Sequence, residues 1–483
     1  MRIISPLLLC LFCVFTSAQK PNSIKRIFIA DTTAVQNDST KVVIRNIFIT
    51  GNRKTKEYII RREIGFKEGD TVEAYNIIPK IERARENIYN TQLFLEVLPQ
   101  IRNWLNGAVD VYFEVKERWY LFPLPYFKLV DRNLNQWIDE QKASLKRVNY
   151  GLKFSWNNVS GRNDKLRIYL VTGYTRQYSF TYDQPFADRK LRHGFTVGFS
   201  FNQNRQVNAY NDFNKQVFFP VNNYGNSELG ILKQQVRGEF GYSYRPDIYH
   251  RHYVRLNIIN EKVADTIIKI NPNYFGDGRS NVSFPELSYT YNYTNLDSIA
   301  YPLRGIAAYV SLLQRGMGFN KAVNLWQLDF NISKYITIAK NHFSVQLYGK
   351  LKTPGNQPFY NIKSLGYGEL YLRGLENYVV DGVASGLAKF TYRRKLLHVS
   401  LPTLIKRNGV TYHVPIKIYA KAYGDVGYSY LPHPVNTLLN NKMIYTGGFG
   451  IDIITLYDFQ LKIEFSFNQL GQNGLFLHTQ KEL

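Results

Sequence analysis

Alternating apolar and polar residues dominate the chain from Arg118 onward. In the stretch DFQLKIEFSFN, residues 458–468, every odd-numbered position from Phe459 to Phe467 is apolar, and every even-numbered position from Gln460 to Asn468 is polar. A period of two is typical of a strand with one apolar and one polar face. About sixteen such segments, from WYLFPLPYF to GLFLHTQ, predict an all-β domain over residues 118–483.

Residues 41–117 have a mixed pattern. VVIRNIFITGN predicts a strand, KTKEYIIRREIGF a short helix and EAYNIIPKIERARENIYN a longer one. LFLEVLPQIR and GAVDVYFEVKE predict two more strands, joined by an Asn-Gly turn. The order strand, helix, helix, strand, strand predicts a small α+β domain ahead of the all-β domain.

Residues 1–18 have the features of a secretory leader. Arg2 precedes an apolar run, and Ser17-Ala18 supplies small residues before the expected cleavage site. The run is short for a spanning anchor, which needs roughly 20 residues. Both cysteines, Cys10 and Cys13, would leave with the leader, so the mature chain is expected to form neither disulfides nor thiol-based metal sites. The polar residues 19–40 are interpreted as a linker.

The polar faces of the strands decide between a soluble fold and a membrane fold. A soluble sandwich buries its apolar faces around one core, whereas these strands also carry Lys, Gln and Glu along their second face. An exported chain without a long apolar run can span a membrane only as a closed barrel. The sequence therefore predicts a 16-stranded antiparallel transmembrane β-barrel with an apolar exterior and a polar lumen; a soluble all-β domain is the alternative.

The chain is strongly basic, with 61 Lys and Arg against 37 Asp and Glu and a formal charge of +24. The basic residues are scattered singly along the strands, and the chain is expected to be exported, so no nucleic-acid partner is predicted. A solvated lumen and loops that face phosphate-bearing outer-membrane lipids account for the charge.

One long Gly-rich stretch, at about residues 353–384, interrupts the strands. It contains Arg373-Gly374-Leu375, and the later strand AYGDVGY supplies Asp425 and Gly427. Here the sequence resembles the BamA/TamA/FhaC superfamily of outer-membrane barrels. In that family the loop before the twelfth strand folds into the lumen, and its Arg-Gly-aromatic motif pairs with an Asp-x-Gly aspartate. The resemblance implies that Arg373 pairs with Asp425.

Strand parity supports the pairing, because Tyr423 and Asp425 face the lumen if the alternate residues of this strand face lipid. The alternative is that Arg373 is solvated and Asp425 pairs with Lys421. Two positions depart from the family pattern. Leu375 replaces the usual aromatic, and Lys389 stands where an acidic residue is common, so it would repel Arg373 or share Asp425 with it.

The resemblance extends along nearly the whole mature chain. ITGNRKT, EGDTV and NIYNTQLF resemble one POTRA (polypeptide-transport-associated) domain over residues 41–117, and DQPF and YPLRG resemble parts of the barrel. It implies an outer-membrane assembly or translocation factor: the POTRA domain lies in the periplasm and receives unfolded outer-membrane or secreted client proteins, and the barrel inserts or exports them. Accessory assembly proteins are possible partners.

Two surfaces are candidates for client binding. The first is a POTRA sheet edge, at residues 42–50 with Phe48 or at 94–102 with Phe94, where an extended chain adds as a strand; coverage of both edges by linker or rim is the alternative. The second is the barrel seam, where the short last strand with Leu475 and Leu477 must close against the first strand, near residues 119–127.

Other functions remain as alternatives or are disfavoured. A partner-secretion pore would keep both the POTRA domain and the loop, whereas a passive outer-membrane channel needs neither. No HExxH, GxSxG or P-loop motif is present, so the sequence predicts no enzyme, no catalytic residue, no cofactor and no metal.

Overall fold

The computed structural model describes residues 40–129, 148–220, 230–368, 370–407 and 410–479. The predicted leader and nearly all of the predicted linker lie outside the described residues. Within them, a small α+β domain precedes a 16-stranded antiparallel sheet, as the sequence predicts.

The N-terminal domain consists of six elements: β1 (Lys41–Thr50), α1 (Glu57–Ile64), β2 (Thr71–Glu73), α2 (Ala74–Asn90), β3 (Phe94–Leu105) and β4 (Ala108–Glu117). Its sheet order is β2-β1-β4-β3, with β1 parallel to β4. Ile residues of both helices pack on the sheet around Phe94 and Phe113, which are fully buried. The short β2, which the sequence analysis missed, pairs with the start of β1.

The large sheet contains sixteen strands, each antiparallel to its neighbours. They are β5 (Leu121–Leu129), β6 (Val148–Asn157), β7 (Lys165–Gly173), β8 (Arg176–Gln184), β9 (His193–Asn204), β12 (Lys233–Tyr244), β13 (His250–Val263), β14 (Asn281–Leu296), β15 (Gly305–Arg315), β16 (Leu325–Ile338), β17 (Asn341–Thr353), β20 (Ala384–Arg407), β21 (Val410–Tyr430), β22 (Met443–Ile454), β23 (Gln460–Asn468) and β24 (Asn473–His478).

The connections carry further short elements. They are the hairpin β10 (Val207–Asp212) and β11 (Lys215–Phe219), helix α3 (Asp265–Ile270), and the pair β18 (Lys363–Leu365) and β19 (Val380–Asp381). No α-helix in the described ranges is both long enough and apolar enough to cross a bilayer.

The large sheet has its polar face inside. On β23, Gln460, Glu464 and Ser466 are 2%, 3% and 1% exposed, whereas Phe459 and Phe467 at its ends are 49% and 47% exposed. A soluble protein buries the apolar face instead. The pattern is the one expected for strands that turn their apolar face to lipid and their polar face to a lumen.

The first and last strands of the sheet do not pair. The sheet order begins at β24 and ends at β5, and in the part of the chain that the structure describes no ladder joins them. The prediction that β24 closes against residues 119–127 is therefore wrong for this structure. β24 has six residues, and β5 contains Pro123 and Pro125, which lack N–H donors.

Contacts with the N-terminal domain show that the sheet curls into a barrel. Arg245, in the turn after β12, donates two hydrogen bonds to Glu63 of α1, at 2.7 and 2.8 Å. Burial lowers the pKa of Arg245 to about 10, and the Glu63 carboxylate opposes that shift. Arg62 of α1 donates to the Leu191 carbonyl at 2.9 Å, in the turn after β8.

The end of α2 and the residue that follows β4 contact turns farther along the sheet. The side chain of Asn90 accepts from the Ile299 N–H at 2.9 Å, after β14, and Arg118 contacts Asp458 at 2.6 Å, after β22. One small domain thus reaches turns that lie many strands apart, which requires a curved sheet. The N-terminal domain lies across one mouth of this barrel.

Candidate functional site

The segment 354–383 connects β17 to β20 and packs inside the barrel. Its apolar side chains Leu372, Leu375 and Tyr378 are buried in one cluster with Leu439 and Ile444, from the start of β22 and the loop before it. We call this segment the lumen loop. Burial of these apolar side chains, next to a barrel wall that is otherwise polar, fixes the position of the loop in the lumen.

Arg373 of the lumen loop contacts Asp425 of β21. Its Nε donates to Oδ2 at 3.0 Å, its Nη2 to Oδ1 at 2.5 Å, and its backbone N–H to Oδ2 at 2.9 Å. The two side chains are 7% and 0% exposed. A bidentate pair with both partners buried is strong and geometrically specific. The structure thus brings together the two residues that the resemblance implies, and it does not leave Arg373 solvated.

The rest of the guanidinium has partners on the neighbouring strands. Nη1 donates to the Thr391 hydroxyl at 2.9 Å, and Nη2 donates to the Phe390 carbonyl at 3.2 Å. The Tyr423 ring lies 4.1 Å from the guanidinium carbon, and its hydroxyl is 2.7 Å from Ser466. Arg373 therefore links the lumen loop to β20 and β21, and Tyr423 extends the link to β23.

Gly374 occupies a position that a side chain would strain. Its φ is +92°, in the left-handed region, and a β-carbon there would lie 2.7 Å from the β-carbon of Ser466. Its N–H donates to the Glu376 carboxylate at 2.9 Å, and its carbonyl accepts from Asn468 at 2.8 Å. The glycine allows the loop to approach β23 closely.

Leu375 and Gly427 complete the predicted motif. Leu375, which replaces the family's aromatic, is 3% exposed and packs in the apolar cluster of the loop. A β-carbon on Gly427 would lie 3.3 Å from Leu372, so the glycine makes room for that leucine. Both residues therefore contribute to the packing of the lumen loop.

Lys389 lies in the same cavity as Arg373. It stands opposite Asp425 in the ladder of β20 and β21, and its ammonium is 4.7 Å from the Tyr371 ring centre. The cavity encloses about 470 Å³ and also contains Lys462 and Glu464. Placed over an aromatic face, Lys389 has a local partner, while Arg373 keeps the bidentate contact with Asp425.

An ionic cluster on the barrel wall escaped the sequence analysis. Lys421 is fully buried and lies 2.5 Å from Asp452 and 2.7 Å from Glu464. His478 of β24 contacts the other Glu464 oxygen at 2.6 Å. Lys421 therefore pairs with these two carboxylates, and not with Asp425 as the alternative reading proposed. Strand parity could have indicated this cluster, because each of these residues lies at an inward position of its strand.

A second loop closes over the lumen loop. Asn214, at the tip of the β10–β11 hairpin, is 3% exposed. Its amide nitrogen donates to the Val379 carbonyl at 3.0 Å and to Asn440 at 2.7 Å, and its amide oxygen accepts from Leu439 at 2.9 Å. These contacts join three connections at the mouth opposite the N-terminal domain.

The predicted POTRA edge at residues 42–50 needs correction. The first three residues of β1, Lys41 to Val43, pair with β2 on one side, and β4 pairs along the other side of β1. Beyond β2, Glu68 accepts from the Ile47 N–H at 3.0 Å, and Arg61 donates to the Ile47 carbonyl at 3.0 Å. Phe48 is half exposed and stacks on Tyr112. Sequence periodicity does not reveal these contacts, which occupy the start of β1 and the backbone of Ile47.

The second predicted POTRA edge lies on β3, at the end of the sheet order. The Phe94 side chain itself is fully buried in the domain core, so this side chain is not available to a partner. Pro99 removes one N–H donor from the middle of the strand. The open edge therefore has its donors on either side of this proline.

The seam residues of β24 are exposed. The side chains of Leu475 and Leu477 are 65% and 66% exposed, and among the described strands β24 pairs with β23 alone. Among the described residues, no group of three or more His, Cys, Asp or Glu side chains is arranged to hold a metal ion.

Two protein-family models match the chain. The POTRA model, described as surface antigen variable number repeat, matches residues 42–118, and the Omp85 superfamily domain matches residues 158–380. The second match includes Arg373 and ends before Asp425. No curated protein matches the chain.

Several solved structures match most of this chain at low sequence identity. BamA from Haemophilus ducreyi lacking POTRA domains 1–3 is 14% identical, with a TM-score of 0.47, covering 91% of this chain and 83% of that one. CdiB from Acinetobacter baumannii is 14% identical, with a TM-score of 0.45 and coverage of 91% and 73%. CdiB from Escherichia coli is 11% identical, with a TM-score of 0.48 and coverage of 92% and 75%.

The two family models match consecutive parts of the chain in the order that the fold displays. The first covers the α+β domain, and the second covers most of the strands between β6 and the lumen loop. The chain therefore belongs to the Omp85 superfamily, as an outer-membrane protein with a single POTRA domain.

Proposed function

We propose that this protein is an outer-membrane assembly factor whose POTRA domain receives client chains and whose barrel inserts them through its seam. Membership of the Omp85 superfamily supports insertion or secretion of proteins at the outer membrane. We favour insertion over secretion because of the two end strands of the large sheet, β5 and β24. Among the described strands no ladder joins β5 to β24, and a client strand can add to the backbone edge of such a strand.

The contents of the lumen argue against transport along the barrel axis. The lumen loop is seated by Arg373 and Asp425, and the β10–β11 hairpin contacts it through Asn214. The POTRA domain lies across the other mouth. A passive channel needs an unobstructed lumen. A partner-secretion pore would have to displace the loop, the hairpin and the POTRA domain, so it is the second candidate.

The lengths of the connections support a periplasmic POTRA domain. On the POTRA side the turns are short, such as 245–249, 339–340 and 455–459. On the opposite side the connections are long, such as 205–232 and 354–383. Outer-membrane barrels have short periplasmic turns and longer extracellular loops. The POTRA side is therefore the periplasmic side in this proposal.

The POTRA domain would receive clients on β3. In the described sheet order this strand lies at one end, whereas the Ile47 groups of β1 are already bonded to Glu68 and Arg61. Main-chain pairing tolerates many sequences, which suits a receptor for varied clients. Clients are unfolded outer-membrane proteins, with membrane lipids around the barrel; no enzymatic activity is proposed.

Reconstitution tests the proposal. The full chain is placed in liposomes, a urea-unfolded outer-membrane barrel protein is added, and its folding is followed by its altered mobility on unheated gels. The proposal expects faster folding than in empty liposomes, and loss of the effect when residues 41–117 are deleted. A client that folds no faster, together with full ion conductance that survives the deletion, would identify a passive channel instead.

A further inference from the structure

Histidine and tyrosine side chains form a row on the outer face of the large sheet. Four residues from four successive strands stand opposite one another in the ladders: His193 of β9, Tyr244 of β12, His252 of β13 and Tyr291 of β14. Their ring centres are 5.2, 5.9 and 5.2 Å apart along the row. Because side chains alternate between the two faces of a strand, this His–Tyr row shares the lipid-facing side with the exposed Phe195 and Val254.

Hydrogen bonds to neighbouring tyrosines orient the two imidazoles of the row. Nδ1 of His193 lies 2.6 Å from the Tyr242 hydroxyl, and Nδ1 of His252 lies 2.9 Å from the Tyr289 hydroxyl. A hydroxyl that donates to Nδ1 leaves the proton of a neutral imidazole on Nε2. Each imidazole then carries an N–H donor suited to an anionic oxygen on the outside of the barrel.

The His–Tyr row lies at the end of the barrel that contacts the POTRA domain. Just before β9, the Leu191 carbonyl accepts a hydrogen bond from Arg62 of α1, and just after β12, Arg245 pairs with Glu63. These contacts mark the level at which the wall leaves the membrane. Tyrosine rings at such a boundary lie among the lipid headgroups. The row is therefore at the depth of the phosphates of the leaflet on the POTRA side.

Positive charge adjoins one end of the row. The turn 185–192, which leads into His193, exposes three basic side chains, Arg189, Lys190 and Arg192. The carboxylate of this turn, Asp188, accepts from the backbone N–H groups of residues 192 and 193 at 2.7 and 2.8 Å. Farther along, Asp247 lies 4.0 Å from Nε2 of His250. Basic residues at a membrane surface attract anionic headgroups, so His193 and His252 are better placed than His250 to hold one.

A shallow groove lies on the same face, deeper in the membrane. Gly238 of β12 stands between Phe199 and Ile258 in the ladders, and these two side chains are 52% and 55% exposed. A β-carbon on Gly238 would meet no atom of the described residues within 4 Å. Gly238 is about 20 Å along the strand from Tyr244, or about 15 Å in depth for a strand tilted by about 40°. This depth is half of the roughly 30 Å hydrocarbon core, which one acyl chain spans.

We propose that this face binds one anionic phospholipid, with its phosphate held between His193 and His252 over the Tyr244 ring and an acyl chain lying across Gly238. The donors, the neighbouring basic turn and the groove at one chain length together fit an amphiphile better than a soluble anion. The site goes beyond the proposed assembly function. Only the assignment of its leaflet as the periplasmic one rests on the POTRA placement proposed above.

Another sector of the same barrel end supplies the comparison. At the turn 339–340, the outward side chains are Ile336 and Ile338 of β16 and Phe343 of β17, which are 47%, 62% and 43% exposed. These side chains offer contact to acyl chains and carry no hydrogen-bonding group. A general preference for the membrane boundary applies to both sectors, whereas a phosphate site requires the imidazoles of the His–Tyr row.

Native mass spectrometry of the full chain in detergent measures the lipid that it retains. The probe is dioleoylphosphatidylglycerol, and dioleoylphosphatidylcholine is its zwitterionic match. The double variant His193→Phe, His252→Phe keeps the rings and removes the nitrogens. We expect it to bind phosphatidylglycerol about tenfold more weakly, which corresponds to about 1.4 kcal/mol for the lost hydrogen bonds. The control Ile336→Phe, Ile338→Phe should bind within about twofold of the unaltered chain.

Two further arms test the acyl chain and the source of the phosphate. Gly238→Leu fills the groove and leaves the imidazoles in place, so retention of dioleoylphosphatidylglycerol should fall about threefold or more. Glycerol 3-phosphate, which has the phosphate without the chains, should not displace the bound lipid at millimolar concentration. Heat-modified mobility on gels verifies that each variant folds.

Four results would overturn the inference: equal losses in the two double variants, no loss in the histidine variant, equal retention of the two lipids, or displacement by glycerol 3-phosphate. Client folding in liposomes is a separate measurement. A chain that retains phosphatidylglycerol as expected but does not accelerate client folding keeps this lipid site and loses the assembly function. A chain that accelerates folding without selective lipid retention shows the reverse.

Discussion

Replacement of Arg373 by alanine is expected to release the lumen loop. The change removes the Nε and Nη2 hydrogen bonds to Asp425, of 3.0 and 2.5 Å, and the Nη1 bond to Thr391, of 2.9 Å. The Asp425 carboxylate has no exposed surface. After the change, the hydrogen bond that remains between it and residue 373 comes from the backbone N–H of that residue. An unpaired buried charge is the most costly outcome that this site allows.

The magnitude follows from the burial of both partners. Removing one partner of a buried ion pair costs about 3–5 kcal/mol, and 3 kcal/mol shifts the equilibrium between seated and released loop by roughly a hundredfold. Asp425→Asn keeps the shape and removes the charge, so a loss of about 2–4 kcal/mol is expected. Arg373→Lys keeps the charge, but a single ammonium cannot form the bidentate contact, so an intermediate loss is expected.

Protease cleavage within residues 354–383 and urea-induced unfolding in detergent measure these losses. The double variant Arg373→Ala, Asp425→Ala should lose about 1–3 kcal/mol less than the sum of its two single changes, because the second change removes the charge that the first one stranded. Additive losses, within about 0.5 kcal/mol, would refute the pairing. If the lumen loop of the Arg373→Ala variant resists protease as well as the unaltered loop does, Arg373 does not hold the loop in place.

Three further changes test neighbouring features. Gly374→Ala should destabilise the seated loop by about 2–4 kcal/mol, whereas Gly368→Ala, also at positive φ but with open space around it, should cost about 1 kcal/mol; protease resistance of the loop compares them. Arg245→Ala should free the POTRA domain in a proteolysis assay, whereas Arg304→Ala, whose side chain is 62% exposed, should have little effect. Tyr423→Phe should cost only about 1 kcal/mol in urea unfolding, because it loses one hydrogen bond and keeps the ring under the guanidinium.

Strand periodicity was sufficient to predict the barrel wall. The alternation from Phe459 to Asn468 predicts a strand with one polar face, and in the structure that polar face is the buried one. The sequence of a half-buried strand alternates between apolar and polar residues, so each of the sixteen segments could be located. The contact between Arg373 and Asp425 could be predicted for a related reason. Strand parity placed Asp425 on the lumen side, and the family resemblance implied Arg373 as its partner.

The features that sequence analysis missed depend on contacts between distant parts of the chain. The parallel pairing of β1 with β4 and the pairing of its first three residues with β2 leave no periodic signal. The partners of Lys421 lie on β22 and β23, and parity gives their side of the wall but not their distances.

Depletion of the protein from its native cell, followed by quantification of outer-membrane, periplasmic and secreted proteins, tests the central claim most directly. The account predicts that particular outer-membrane barrel proteins disappear from the membrane and accumulate as unfolded chains in the periplasm, before any change in small-solute uptake. An outer-membrane and secreted protein set that stays constant while solute uptake falls would contradict it.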